Sequence, residues 1–600
     1  MAMSGRRKTV LIIGGIVLAL VLMVILGVAV IISAMRGGSP TIRDNSVLAL
    51  RISGSMPDYL PEDPLRRLLG NNDQSLTSFL NQLKKAKVDK RITAVLLEIE
   101  MSEAGWAKSE EIRAAIADFR TSGKPIYAFI EFGLNKEYYI ATACDKIYVT
   151  PPGELFITGL SADVMFFRGS LDKLGIYPDL FQIGKYKSAG DTFTRKEMSD
   201  AHRQFMNELL DDLYNRYVQT IATARNKSVA DVKALIDNAP YSAQQAKDAG
   251  LIDGVTYRDD LEKELKQRLG YKDSDDLRIT RTGDYRQVSQ ESLGLNKGEN
   301  IAIIYGTGDI GSGTSANGPT GGQSIGSETM VKALNDARMD KTIKAIVLRV
   351  DSPGGSGLAS DVIWHAVDAA NKVKPVVVSM GDVAASGGYY ISASASKIIA
   401  EPSTITGSIG VVGGKPVMRG LYDWLGFSNE YILRGKNAGI FRETEKFSPD
   451  ERKKFEEWLT STYYGDFIPK VAKGRNKDPK EIDAVGQGRV WTGAQGKDRG
   501  LVDEFGGLDR AVEVAKGLAK IPADKGIHRV ILPYPRNFLQ ELFSGGDEES
   551  TSMSAEAKQQ QAILAMMPAD ARRAFRYAML LDKARNGETM FLLPFDLKIK

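Results

Sequence analysis

The chain has 600 residues, 43% of them hydrophobic, which is more than one domain needs and enough for sizeable cores. Its net charge of +4 is small for that length and leaves no nucleic-acid footprint. The lone Cys144 excludes an intramolecular disulfide framework, and a small buried residue is its expected role.

Residues 9–35 are uncharged and dominated by Val, Ile, Leu, Gly and Ala. That run spans a bilayer and is too long for the apolar core of a signal peptide. Arg6, Arg7 and Lys8 precede it while only Arg36 follows closely, so the positive-inside rule keeps the N-terminus cytoplasmic and exports the rest. No clear small-x-small site follows, which favours a retained anchor over a removed peptide. Residues 1–36 are therefore read as a cytoplasmic tip and transmembrane anchor, placing a single-pass chain in the cell inner membrane with its bulk on the periplasmic side.

A first α/β repeat is expected over 45–272. Strand-like runs at 47–52, 94–99, 125–129 and 146–149 alternate with helical ones such as 110–119, the pattern of stacked β-α-β units. A long helix is expected over 200–225. Residues 273–299 are polar and read as a linker. A second repeat over 300–535 opens with strand 301–305 and continues through strand 345–350, a helix near 358–371, strand 375–380, and a helix beginning near Ser386. Residues 536–600 form a polar tail, Ser- and Gln-rich at 544–558, with an amphipathic helix candidate at 562–584.

The two halves are copies at a period of about 250 residues, which means a duplicated domain rather than a solenoid. Lys90 to Ile99 matches Lys341 to Val350, Tyr138-Tyr139-Ile140 matches Tyr389-Tyr390-Ile391, and Ala246 to Asp253 matches Gly496 to Asp503. They diverge where chemistry would lie. Thr158-Gly159-Leu160 stands against Thr406-Gly407-Ser408, Asn135 against Ser386, and Glu100 to Ala104 against Asp351-Ser352-Pro353-Gly354-Gly355. Lysine is kept in both, as Lys187 and Lys436.

A hydrolytic serine needs a base, an oxyanion hole and shelter from water. The three histidines, His202, His365 and His528, support no Ser-His-Asp triad. A lysine can serve instead where desolvation lowers its pKa, so Lys187 and Lys436 are both candidates. Ser408, held among small residues, and Ser386, at a strand-to-helix junction, are competing nucleophiles. The amides of Gly354 or Gly355 would face a developing oxyanion. No metal-ligand spacing of His, Cys and carboxylates occurs, so neither metal nor cofactor is expected.

Asp-Ser-Pro-Gly-Gly, Ala-Ala-Ser-Gly-Gly-Tyr-Tyr, Thr-Gly-Ser-Ile-Gly and Arg489-Val490-Trp491-Thr492-Gly493 together resemble signal peptide peptidase A (SppA) in its long two-domain bacterial form. The resemblance runs from the anchor to about residue 520. It implies tandem crotonase/Clp-protease-like α/β domains, a homotetramer at the membrane, and peptide substrates such as cleaved signal peptides. It further implies a Ser/Lys dyad with Ser408 as nucleophile and Lys187 as base, Ser386 not being the nucleophile. Lys436 is a departure: a relic, a structural residue, or the true base if the geometry differs. The alternatives are a non-catalytic membrane scaffold of the same fold and, disfavoured by export, a crotonase-type enzyme acting on acyl-CoA thioesters.

Overall fold

The computed structural model describes residues 41–60, 74–272, 274–317, 323–533, 590–592 and 598–599, together with Met23. Apart from Met23, the apolar run 9–35 lies outside them, as does the helix candidate 562–584. Among the described residues no helix is long and apolar enough to cross a membrane.

Parallel strands covered on both faces read as continuous apolar runs, and those runs form the two central sheets. In the first half β1 (Ser46–Gly54), β2 (Ile92–Ser102), β3 (Ile126–Leu134) and β4 (Lys146–Phe156) pair in parallel in the order 4-3-2-1. The helices α1 (Leu76–Val88), α2 (Trp106–Arg120) and α3 (Asp200–Arg225) are among those of this half. Side chains of β2 from Val95 to Leu97 have no exposed surface, and burying each contributes roughly 1.5–3 kcal/mol. Cys144 is buried, as expected, and burial pushes its thiol pKa up.

A further strand, β5 (Tyr177–Ile183), leaves this sheet altogether, and its destination makes the site. The polar stretch 273–299 is more than a connector. Within it β6 (Ile279–Arg281) adds in parallel to the edge of β1, and Tyr285 is fully buried. The buried Lys85 ammonium donates to the carbonyls of Tyr285, at 2.7 Å, and Val288, at 2.9 Å. A composition that reads as linker is here held by backbone acceptors rather than by apolar periodicity.

The second half repeats the plan. β7 (Glu299–Thr307) is followed by the short β8 (Asp309–Gly311), β9 (Ile343–Ser352), β10 (Gly354–Ser356) and α4 (Gly357–Asn371). Next come β11 (Val376–Ala385), α5 (Gly387–Ser392), β12 (Ile405–Gly407), β13 (Val411–Val417), α6 (Pro449–Ser461), β14 (Val490–Thr492) and β15 (Ile527–Leu532). The second sheet runs in the order 14-12-11-9-7-15. The duplication reaches small details. Register shifts after Ser46 and again after Asn300, and the Tyr138 and Tyr389 hydroxyls donate to the carbonyls of Leu251 and Leu501. Asn226 and Asn476 cap matching helices in the left-handed region.

A third sheet joins the halves. β5 of the first half pairs antiparallel with β13 of the second, from Val411 opposite Ile183 to Val417 opposite Tyr177. The same sheet contains β8, β10 and, from the far end of the chain, β16 (Met590–Leu592).

Candidate active site

Three segments distant in sequence meet where this seam ends. The β5–β13 pairing carries the chain past Ile183 to Gly184, whose φ of 114° lets it pack against Gln487. Tyr186 N–H then donates to the Gln487 carbonyl at 2.8 Å, and Lys187 enters the second half. Its Nζ stands 2.8 Å from Ser386 Oγ, 3.0 Å from the Ser408 carbonyl oxygen and 3.1 Å from Ser408 Oγ. All three residues have no exposed surface. Burial, with no contributing charge, pushes the Lys187 pKa well below the ordinary lysine range.

The two serines are held differently. Ser386 follows β11 and precedes α5 with φ 55° and ψ −111°, a conformation that costs a non-glycine residue roughly 1–3 kcal/mol. This is a sharp strand-to-helix turn of the kind that thrusts a hydroxyl forward. Its N–H donates to the Gly407 carbonyl at 2.8 Å. The next residue, Gly387, abuts the glycine pair: a methyl there would stand 3.1 Å from Gly354 Cα and 3.2 Å from Gly355 N. Gly355 lies in β10, and Gly354 N–H donates to Ser352 Oγ at 3.1 Å. Ser408 also has positive φ, 51°, and its N–H donates to the Arg489 carbonyl at 2.7 Å. It offers the lysine both its carbonyl and its hydroxyl.

Lys436 is elsewhere: it is exposed and pairs with Asp450 at 3.0 Å. In the first half the matching site is filled. The Asn135 amide donates to the Gly159 carbonyl at 2.8 Å and accepts from Tyr217 Oη at 3.2 Å, and Leu160 packs on the first core. His202 is buried beside Phe205, and burial lowers its pKa to about 4, while His528 meets Asn300 at 3.0 Å.

Two supporting elements escape a reading by motif. Gly488, with φ 74°, lies where a methyl would stand 2.4 Å from Lys187 Cβ. Gly488→Ala is therefore expected to shift the lysine and lower kcat about 100-fold with KM little changed, measured by steady-state peptide hydrolysis. The other is a buried charge cluster at the start of α2. Lys108 Nζ pairs with Asp351, the first residue of the glycine turn, at 2.7 Å. Gly105 and Lys108 N–H groups donate to Asp382, both at 2.9 Å. Arg349 contacts Asp58 at 2.8 Å and Glu111 at 2.5 Å. The first half thus supplies a lysine and clamps the turn that precedes the glycines.

The family model "Peptidase family S49" matches this chain twice, at residues 118–272 and 368–522. The chain is 38% identical over 508 residues to "Serine protease SPPA, chloroplastic" of Arabidopsis thaliana, across 84% of this chain and 74% of that one. It is 33% identical over 526 residues to "Protease 4" of Salmonella typhi, across 84% and 83%. It is 32% identical over 523 residues to "Protease 4" of Haemophilus influenzae, across 83% of each. A duplicated α/β chain with these relatives is a serine peptidase. The chain belongs to peptidase family S49, in the long form that carries the family's domain twice.

Proposed function

We propose that this peptidase uses Lys187 as its base and Ser386, rather than Ser408, as its nucleophile, with Ser408 holding the lysine. The observation that carries this is the geometry around Nζ. A neutral amine has two N–H donors and one lone pair. The Ser408 carbonyl can only accept, so it takes one N–H, and we assign the other to the adjacent Ser408 Oγ. The lone pair then faces the nearer hydroxyl, Ser386, at 2.8 Å. Lys187 removes that proton as Ser386 Oγ attacks the scissile carbonyl, and the amides of Gly355 and Gly387 hold the oxyanion. Gly354, whose N–H is engaged by Ser352, shapes the turn. The lysine returns the proton to the leaving amine, then activates the water that hydrolyses the acyl-enzyme.

This reading departs from the expectation from the sequence, where Ser408 came first. The reason is the turn: Ser386 sits on the strand-to-helix elbow against the glycine pair. Lys436, exposed and paired with Asp450, is left out of this reading. A fluorophosphonate should label one serine, and peptide mapping by mass spectrometry should place the adduct on Ser386. An adduct on Ser408 overturns the assignment. Since the base must be neutral, kcat/KM should rise with pH along a limb lying below the ordinary lysine range, as burial demands. A limb near the unperturbed lysine value would exclude Lys187 as the base.

For substrates we infer apolar peptides, signal-peptide remnants among them, in keeping with the SppA resemblance and with the buried apolar residues Ala189 and Val412 beside Lys187 and Ser408. The run 9–35 with Arg6, Arg7 and Lys8 before it supports an anchor in the inner membrane and a periplasmic body. A head-to-tail homo-oligomer, a tetramer by that resemblance, fits the repeat. The segment matching β5 in the second half carries the exposed Phe427, Tyr431 and Ile432. In an assembly this edge would meet the next protomer as β5 meets β13.

A further inference from the structure

The sheet that bears the site is completed by the far C-terminus. Between β10 and β13 runs β16, antiparallel to both: Leu592, Phe591 and Met590 stand opposite Gly354, Gly355 and Ser356, and Met590 also stands opposite Val412. The Met590 side chain is 3% exposed and fills an apolar pocket with Ala189, two residues from Lys187, and Val412, four residues from Ser408. A second pairing sets Lys598 and Ile599 against Asp163 and Ala162 of the first half, so the tail is paired with both halves.

An extended strand laid along the glycine turn, with one side chain in an apolar pocket beside the base, is the pose of a peptide bound by strand addition. In that mode main-chain pairing gives affinity and the pocket gives selectivity. We infer that Met590–Leu592 is a tethered occupant of the peptide cleft, a strand of this chain that a substrate must displace, and that the Ala189/Val412 pocket selects an unbranched apolar side chain in that substrate. Tethering raises the local concentration of the tail to about the millimolar range, so a strand of modest intrinsic affinity suffices. The effect on hydrolysis rests on the peptidase reading above; the occupancy of the cleft does not.

The test compares the full chain with a chain ending at residue 589 and with the full-length Met590→Asp variant, whose buried carboxylate would expel the strand. Both changes should lower KM for an apolar peptide about tenfold while kcat stays within about twofold, the mark of a removed competitor. Separately, a fluorescent peptide with the sequence of residues 590–600 should bind the truncated chain carrying Ser386→Ala, and the same peptide with aspartate in place of its first residue should not. Unchanged KM in both variants together with no peptide binding overturns the inference. Peptide binding without hydrolysis in any of the chains would retain the occupied cleft and discard the catalytic assignment.

Discussion

Ser386→Ala is expected to reduce kcat/KM for peptide hydrolysis by about 10⁴–10⁶, while Ser408→Ala loses only about 10²-fold. In the proposed mechanism, removing the Ser386 hydroxyl removes the group that bonds to the scissile carbon. Removing the Ser408 hydroxyl leaves its carbonyl 3.0 Å from Nζ, so the lysine keeps a fixed acceptor and forfeits one hydrogen bond. Neither change should raise KM appreciably, since both act on reacting groups. Lys187→Met should match Ser386→Ala, and Lys436→Met should be silent. Oligomer size and thermal midpoint are to be checked for each variant, because Ser386 and Ser408 both hold positive φ. A dead Ser408→Ala beside an active Ser386→Ala would exchange the two roles.

The largest stability effect is expected at Arg349, which has almost no exposed surface. Its guanidinium contacts Asp58 and Glu111 of the first half and donates to Ser379 Oγ at 2.9 Å and the Met380 carbonyl at 3.1 Å. Burial pushes the Asp58 carboxyl up, but the Arg349 and Lys108 charges outweigh it and hold the pKa below the usual range. Arg349→Leu strips Glu111 of its counter-charge and leaves Asp58 only Lys108, at 4.0 Å, and breaking such a buried cluster costs about 3–5 kcal/mol. The deficit should depend on pH with a definite sign. Unpaired buried carboxylates have folded pKa values above their unfolded ones, so stability is present at low pH and lost as pH rises through the folded values. Urea unfolding should show a wider gap between variant and parent at pH 8 than at pH 5. A gap that narrows with rising pH, or none at all, would show that this cluster does not hold the halves together.

The sheets were legible because parallel strands must be apolar throughout, as Val95 to Leu97 are, and the period of the copies disclosed the duplication. Lys187 was legible as a candidate through the retention of lysine in both copies. The preference for Ser386 over Ser408 was not: both lie in small-residue turns with positive φ, and it rests on the place of Ser386 at the head of α5 and the contact of Gly387 with the glycine pair. Two edge segments were hidden for a common reason. The strand within 273–299 and the strand at Met590–Leu592 are three residues each, too short for alternation to show, and are held by main-chain pairing that any side chain permits. The Arg349 cluster was invisible because charges read as surface until their partners, about 290 and 240 residues away, are brought beside them.

Lys187 and Ser386, the proposed base and nucleophile, lie 199 residues apart in the chain, and Gly488 against the lysine is more distant still. During synthesis from the N-terminus, the base emerges long before any serine it could activate, and its seat is finished only when residues near 490 have followed. If Lys187 and Ser386 act together as proposed, a polypeptide lacking either half should cut nothing. On the reading proposed above, activity therefore waits until both halves have folded against each other.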